Sequence, residues 1–202
     1  LKIKDLDIKS DINIDILKLK NSLKLENFFP KIKKDLIFKN QKIKLEYKKD
    51  NLNINGGGEV FLQNEIDTIE YEIHKIKKEI KFNTTLNVSK NPLELDLLNY
   101  KKNEKSNLEL NFKGNRNIED KLIFDKISLK EKNNIISVKN LIISNNNKID
   151  DIGNIDINYI DKDNFKNNLQ VTKKDKNYLI SGNNFNVDKI IEKLLNSDND
   201  SN

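Results

Sequence analysis

The sequence predicts an all-β, mainly antiparallel fold, in which an extended, twisted or curled sheet forms an open groove and a short amphipathic helix follows. Apolar and polar residues alternate with a period of two along nearly the whole chain. Residues that favour turns separate the alternating stretches. The spacing of about 10–15 residues suits hairpins and leaves no room for crossover helices between parallel strands.

The alternating sets follow one another from the first residues to the C-terminal region. In chain order they are Ile12, Ile14 and Ile16; Ile43, Leu45 and Tyr47; Leu52 and Ile54; Val60 and Leu62; Ile69, Tyr71 and Ile73; Ile80, Phe82, Thr84, Leu86 and Val88; Leu108, Leu110 and Phe112; Leu122 and Phe124; Ile127 and Leu129; Ile136 and Val138; Leu141 and Ile143; Ile155, Ile157 and Tyr159; Leu169 and Val171; Tyr178 and Ile180. Because successive side chains of a strand point to opposite faces, each set lines one side of the sheet. The Lys, Glu, Asp and Asn residues between them are expected to face water.

Turn-forming residues lie between these sets. The predicted turns are residues 49–51, 56–58, 91–92, 113–115, 132–134, 145–147 and 173–177. The three glycines at 56–58 are not followed by a Gly-Lys-Ser/Thr motif or a helical pattern, which argues against a phosphate-binding loop. A flexible turn or a bend in a strand is the favoured interpretation.

Two regions depart from the alternation. Residues 23–37 contain a Phe-Phe-Pro sequence and a Lys pair, which predict a loop or a short helix. Residues 186–197 have apolar side chains at Ile190, Ile191, Leu194 and Leu195, a spacing typical of an amphipathic helix, with Asp188 as the predicted N-cap. We therefore expect a sheet over residues 1–185, a helix over 186–197 and a disordered tail over 198–202.

The composition is polar for a folded protein: 36% of the residues are hydrophobic, 34% are charged, and the mean hydropathy is −0.73. The regular spacing of Ile, Leu, Val and Phe argues against disorder all the same. The chain has no Ala, one Arg and a large excess of Lys, Asn and Ile, which indicates an AT-rich coding sequence. A net charge of +5 arises from interspersed basic and acidic residues, a pattern that disfavours nucleic acid as a partner.

Candidate catalytic and metal-binding residues are few. The absence of Cys excludes disulfides and thiolate-bound zinc. His74, the sole histidine, follows Ile73 on the polar side of its strand, where we expect it to face solvent. Glu70 and Glu72 lie on one strand face, but paired carboxylates arise by chance in a chain this charged, so we assign them no acid–base role. Asp150 and Asp151 lack the ligand spacing of a calcium-binding loop. The sequence therefore predicts no enzyme activity, no cofactor and no metal site.

Three segments resemble the AsmA-like (YhdP/TamB-type) bacterial envelope proteins. Residues 178–195 (YLISGNNFNVDKIIEKLL) resemble the family's strand that ends in Gly and leads through an Asp to an amphipathic helix. Residues 55–62 (NGGGEVFL) resemble its strand openings, and residues 97–102 (LLNYKK) a loop between its strands. The resemblance extends over residues 52–197.

This resemblance implies a function in lipid transport. It implies a periplasmic segment of a longer protein, tethered to the inner membrane by a region outside these residues; the start at Leu1, within an alternating pattern, suggests the same. The implied partner is phospholipid, with other envelope proteins as further candidates, and any membrane contact is expected through the rest of the parent chain. A diffuse apolar lining would hold the acyl chains. The implied lining residues are Ile69, Tyr71, Ile73, Ile80, Phe82, Leu108, Leu110, Phe112, Leu122 and Phe124.

Two other functions stay open on the sequence. The apolar face can be covered by protein, which would give a structural or adhesive β-sandwich or solenoid module of a surface protein. Two facing sheets about 10 Å apart would favour that alternative, and a trough open along its length would favour lipid transport. An enzyme is a distant third.

Overall fold

The computed structural model of the protein describes residues 6–21, 29–144 and 148–197. Its β-strands are β1 (Asp7–Lys20), β2 (Asp35–Lys48), β3 (Asn51–Phe61), β4 (Asp67–Ile76), β5 (Glu79–Val88), β6 (Glu94–Leu95), β7 (Tyr100–Lys101), β8 (Leu108–Arg116), β9 (Leu122–Glu131), β10 (Asn134–Ile143), β11 (Ile149–Asp151), β12 (Asn154–Ile160), β13 (Lys166–Lys174) and β14 (Asn177–Asn184). A 3-10 helix covers Asp96–Leu98, and helix α1 covers Asp188–Ser197.

The strands form one antiparallel sheet of twelve strands that does not close into a barrel. The order across it is β1-β2-β3-β4-β5-β8-β9-β10-β12-β13-β14, with the short strand β11 paired to β10. Strands β6 and β7 form a separate two-stranded ribbon between β5 and β8. The predicted fold class, an open and mainly antiparallel sheet with a short C-terminal helix, is confirmed.

Most hairpin turns lie where the sequence places them. Lys49 and Asp50, Lys132, and Asp175 adopt positive φ in the turns after β2, β9 and β13. Asp and Asn tolerate this conformation better than other non-glycine residues. The predicted turn at residues 145–147, the tail 198–202 and residues 23–28 of the predicted loop lie outside the described residues. Residues 35–37, also part of that predicted loop, belong to β2.

Two predicted turns are wrong, because their glycines lie inside strands. Gly56 lies in the middle of β3, directly opposite Tyr71 of β4. A Cβ atom at Gly56 would be 2.6 Å from the Tyr71 ring, so the glycine makes room for an aromatic side chain. Gly114 lies in β8 at a register shift opposite β9, where a Cβ atom would collide with the Ile123 backbone.

Helix α1 confirms the predicted C-terminal helix but begins differently from the expectation. Asp188 is the first helical residue. The N-cap position is Val187, whose carbonyl accepts the first intrahelical hydrogen bond, from the Ile191 N–H at 2.9 Å. The helix lies beside the 3-10 helix at Asp96–Leu98. Ile190 is half-buried, whereas Ile191 and Leu195 are 48% and 66% exposed. The apolar stripe is therefore covered only in part.

Candidate apolar binding face

The register of the sheet collects the apolar residues on one face. Residues directly opposite each other in an antiparallel pair point to the same side. A row that runs through Leu86, Leu110, Leu129, Ile136, Ile157 and Leu169 joins six neighbouring strands by direct cross-strand pairs. We call it the capped row, because the segment described below covers it.

A second row on the same face lies closer to the opposite ends of the strands. It consists of Leu45, Ile54, Ile73, Phe82, Phe124 and Leu141, with Gly114 between Phe82 and Phe124. We call it the open row, because all six of its side chains are half-exposed. Phe82 and Phe124 meet edge to face over Gly114, with ring centroids 5.7 Å apart.

Residues 89–107, which connect β5 to β8, cover the capped row; we call this segment the cap. Leu93 and Tyr100 of the cap are buried and belong to the same apolar core as the capped row. The cap crosses the ends of β8, β9 and β10 to reach the β12–β13 turn. There the Tyr159 hydroxyl donates to the Leu98 carbonyl and the Lys162 backbone N–H donates to the Asn99 carbonyl, 2.9 Å away.

A buried carboxylate, Glu131 at the end of β9, anchors the C-terminal half of the cap. It accepts hydrogen bonds from the Tyr100 hydroxyl at 2.6 Å, from the Asn103 backbone N–H at 2.8 Å and from the Ser106 hydroxyl. Burial alone would raise the pKa of Glu131, but these donors stabilise the charged form and lower it below the ordinary value. Glu131 is therefore an ionised anchor for three residues of the cap.

A second carboxylate, Asp67 at the start of β4, anchors the N-terminal end of the cap. Its two oxygens accept from the Ser89 backbone N–H at 3.0 Å and from the Asn91 side-chain amide at 2.7 Å. Burial raises the pKa of Asp67 despite these bonds. Asn91 also accepts from the Glu65 backbone N–H, so one amide joins the cap to the β3–β4 connection.

A buried ammonium group lies between the two carboxylates. The Lys102 amine donates to the Ser89 carbonyl and, at 3.1 Å, to the Asn103 carbonyl. Burial lowers the pKa of Lys102, and the nearby charges of Glu131 and Asp67 oppose that shift. A buried polar group is costly unless it has partners, so this network fixes the position of the cap.

The ten predicted lining residues divide between these regions. Leu108 and Leu110 are buried beneath the cap and are not accessible to a ligand. The other eight are half-exposed: Ile69, Tyr71, Ile73, Ile80, Phe82, Phe112, Leu122 and Phe124. Of these, Ile73, Phe82 and Phe124 belong to the open row.

The opposite face of the sheet is polar. His74 lies there, half-buried, and contacts the side chain of Asn53 on β3 through Nδ1. It lines a cleft of ≈ 630 Å³ whose walls carry Glu72, Lys81 and Asp125. Acidic, basic and amide groups are mixed in this cleft. Among the described residues, no cluster of three His, Asp or Glu side chains can hold a metal ion.

The carboxylates at 150 and 151 are engaged by lysines. Asp151 makes an ion pair of 2.5 Å with Lys173, and Asp150 lies 3.4 Å from Lys121. Each pair joins neighbouring structural elements at the sheet surface, so these acidic residues have a structural use in the described chain.

The sequence reasoning missed the cap and its polar anchors. A signal was present, because the 19 residues between β5 and β8 exceed the usual length of a loop without structure. Leu93, Leu95, Leu98 and Tyr100 also supply more apolar side chains than a solvated loop needs. The anchors Asp67 and Glu131 carry no such signal, since charged residues are frequent throughout the chain.

Comparisons of the chain with protein-family models, with curated proteins and with solved structures find no match. Membership of the AsmA-like family therefore stays a prediction. Within the part of the chain that the structure describes, none of the helices has the length and apolar character needed to cross a membrane.

Proposed function

We propose that the open row and its neighbours form a surface for phospholipid acyl chains, within an envelope protein that carries or shields lipid between membranes. The observation that supports this proposal is one continuous apolar face, of which one part is covered by the cap and the other keeps large side chains half-exposed. An apolar surface of this extent is uncommon on a soluble protein unless it has a partner.

The dimensions suit an acyl chain. The open row crosses seven neighbouring strands from β2 to β10, and at about 4.8 Å per strand it spans about 29 Å. One leaflet of a bilayer core is about 15 Å thick, so an extended acyl chain fits along the row. The row contains no charged side chain that would have to be desolvated.

The polar face and the cap also have roles in this proposal. The polar face would be in contact with water, and the cap would close one end of the apolar surface, so that acyl chains would enter from the opposite end. A periplasmic location, a tether in the inner membrane and contacts with other envelope proteins belong to the same proposal, through the rest of the parent chain.

Lipid extraction tests this function. The full chain is purified without detergent, its bound lipid is extracted and identified by mass spectrometry, and uptake of a fluorescent phospholipid from vesicles is measured. We expect Phe82→Glu to reduce uptake about tenfold or more, because an acyl chain lying over residue 82 would remove the added charge from water. Lys113→Glu, on the polar face of the neighbouring strand β8, introduces the same side chain and should leave uptake unchanged.

Circular dichroism of both variants shows whether the sheet is retained. Recovery of no phospholipid from a folded wild-type chain, together with no uptake, would contradict the transport proposal and favour the structural or adhesive module. Equal losses in the two variants would show that the added charge acts through stability and not through the apolar face.

A further inference from the structure

The two edges of the sheet differ in their protection against pairing. Strand β1 carries six charged side chains, Asp7, Lys9, Asp11, Asp15, Lys18 and Lys20. Strand β14 carries none in Asn177–Asn184 and contains no proline. Charged residues and prolines are the usual means by which proteins prevent an edge strand from pairing with another chain. Strand β14 lacks both.

The side chains of β14 are exposed on both faces of the sheet. Ile180 pairs with Val171 and lies on the apolar face, where it is 65% exposed. Leu179 pairs with Thr172 on the polar face and is 62% exposed. Tyr178 lies on the same face as Ile180 and is also exposed. Among the described residues, no strand pairs with the outer edge of β14.

We propose that β14 is a homodimerisation edge, at which a second copy of this chain adds its own β14 in antiparallel orientation, with Leu179 on the two-fold axis. In this register Tyr178 lies opposite Ile180 of the second copy, and the two Leu179 side chains meet on the other face. Apolar residues then meet apolar residues on both sides of the sheet, and pairs of an aromatic with a β-branched residue stabilise antiparallel strands.

A register shift in the pairing of β14 with β13 limits which residue of β14 can lie on the two-fold axis. The pairing with β13 shifts after Gly182, so the regular part of β14 is Asn177–Gly182. Directly opposed residues must share a face, which restricts a two-fold axis to a residue of that part. An axis at Ile180 would place Tyr178 against Gly182 and Leu179 against Ser181, which matches fewer apolar groups.

The other described elements leave the outer edge of β14 unpaired. All residues of Asn177–Asn184 are exposed, and β14 begins directly after the β13–β14 turn. Helix α1 follows the other end of β14 and lies beside the 3-10 helix of the cap. A two-fold axis normal to the sheet would keep both apolar faces on the same side, so a dimer would extend that face across two chains.

Sedimentation equilibrium and oxidative cross-linking of the full chain test the proposal. A five-residue strand pair is small, and weak interfaces bury less than about 1,200 Å². We therefore expect a dissociation constant between about 1 µM and 1 mM. Leu179→Lys should abolish the dimer, because like charges would lie directly opposite each other. Ile16→Lys on β1, at a 57% exposed site, should leave the dimer intact.

Cross-linking fixes the register, since the chain has no cysteine of its own. Leu179→Cys should form an intermolecular disulfide faster than Ile180→Cys or Ile16→Cys, because only its two thiols would face each other across the axis. A wild-type chain that stays monomeric up to about 1 mM would overturn the proposal. So would a dimer that Ile16→Lys disrupts and Leu179→Lys does not, or fastest cross-linking at residue 16 or 180.

Discussion

The capped row and the open row occupy the same face, cross several of the same strands and consist of large apolar residues. Five of the six side chains in the capped row are buried, whereas all six in the open row are half-exposed. On β5 the contrast is between Leu86, which is 7% exposed, and Phe82, four residues earlier. The difference is the cap, a segment that lies over one row and not over the other. Strand alternation creates an apolar face, but a covering segment decides which part becomes core.

The two rows also differ in how much they contribute to folding stability and in how much apolar surface they leave exposed. Side chains in the capped row gain the full benefit of removal from water, about 1.5–3 kcal/mol for a large apolar residue. Those in the open row gain only part of it, because they remain half-exposed to water. Substitutions in the two rows should therefore have different consequences.

Replacing the cap gives the largest expected effect. If residues 90–106 are exchanged for an Asn-Gly hairpin turn, β5 and β8 stay adjacent while the capped row becomes exposed. We expect a loss of about 5 kcal/mol or more in the free energy of unfolding, since several large side chains return to water. Urea unfolding and the binding of an apolar dye measure it. Unchanged stability and dye binding would show that the two rows do not differ through the cap.

A matched pair of core truncations has the next largest effect. Leu129→Ala in the capped row should cost about 2–5 kcal/mol, because it leaves a cavity in packed surroundings. Ile73→Ala in the open row should cost about 1 kcal/mol, because its side chain is already in partial contact with water. Urea denaturation compares the two. Equal costs would mean that Ile73 is covered as well as Leu129 is.

Glu131→Gln tests the anchor of the cap. It removes a charge that accepts from Tyr100 and Ser106, at a cost of about 1–3 kcal/mol. Because the folded pKa of Glu131 lies below the ordinary value of 4.5, its contribution is present above pH 4.5 and is lost as pH falls through the folded pKa. The stability difference between wild type and variant should therefore shrink in acid.

Urea titrations of both proteins at neutral pH and below pH 4.5 check this dependence. Tyr100→Phe is a control that removes one donor and keeps the carboxylate. A wild-type advantage that grows in acid would contradict the assignment of Glu131 as an ionised anchor.

His74→Asn should have the smallest effect, within about 0.5 kcal/mol, because His74 lies outside both rows on the polar face. The uptake of lipid should equal that of the wild type. A large drop in uptake would mean that the polar cleft takes part in binding, and the contrast between the two rows would no longer describe the function.

Much of this architecture was predictable from residues alone. Period-two alternation identifies the strands and their apolar side, since the direction of a side chain in a strand follows from its position. The Asn and Asp residues of several hairpin turns were also readable. Gly56 and Gly114 were misassigned to turns, because the need for glycine there comes from Tyr71 and Ile123 on neighbouring strands.

The candidate site was predictable only as a face. Eight of the ten predicted lining residues are half-exposed, whereas Leu108 and Leu110 lie beneath a segment that no local pattern assigns to them. The anchoring role of Asp67, Lys102 and Glu131 depends on partners that are distant in sequence. Local periodicity contains no information about those partners.

Antiparallel strands with one apolar and one polar face follow directly from the residue pattern, because alternation acts within each strand. The division of that apolar face into a covered and an exposed part depends on contacts between distant segments. The cap crosses several strands and buries most of the capped row, and buried charges that find partners only in the folded chain hold it there. Long-range packing therefore set the boundary between the core of this protein and the part of the apolar face that stays exposed.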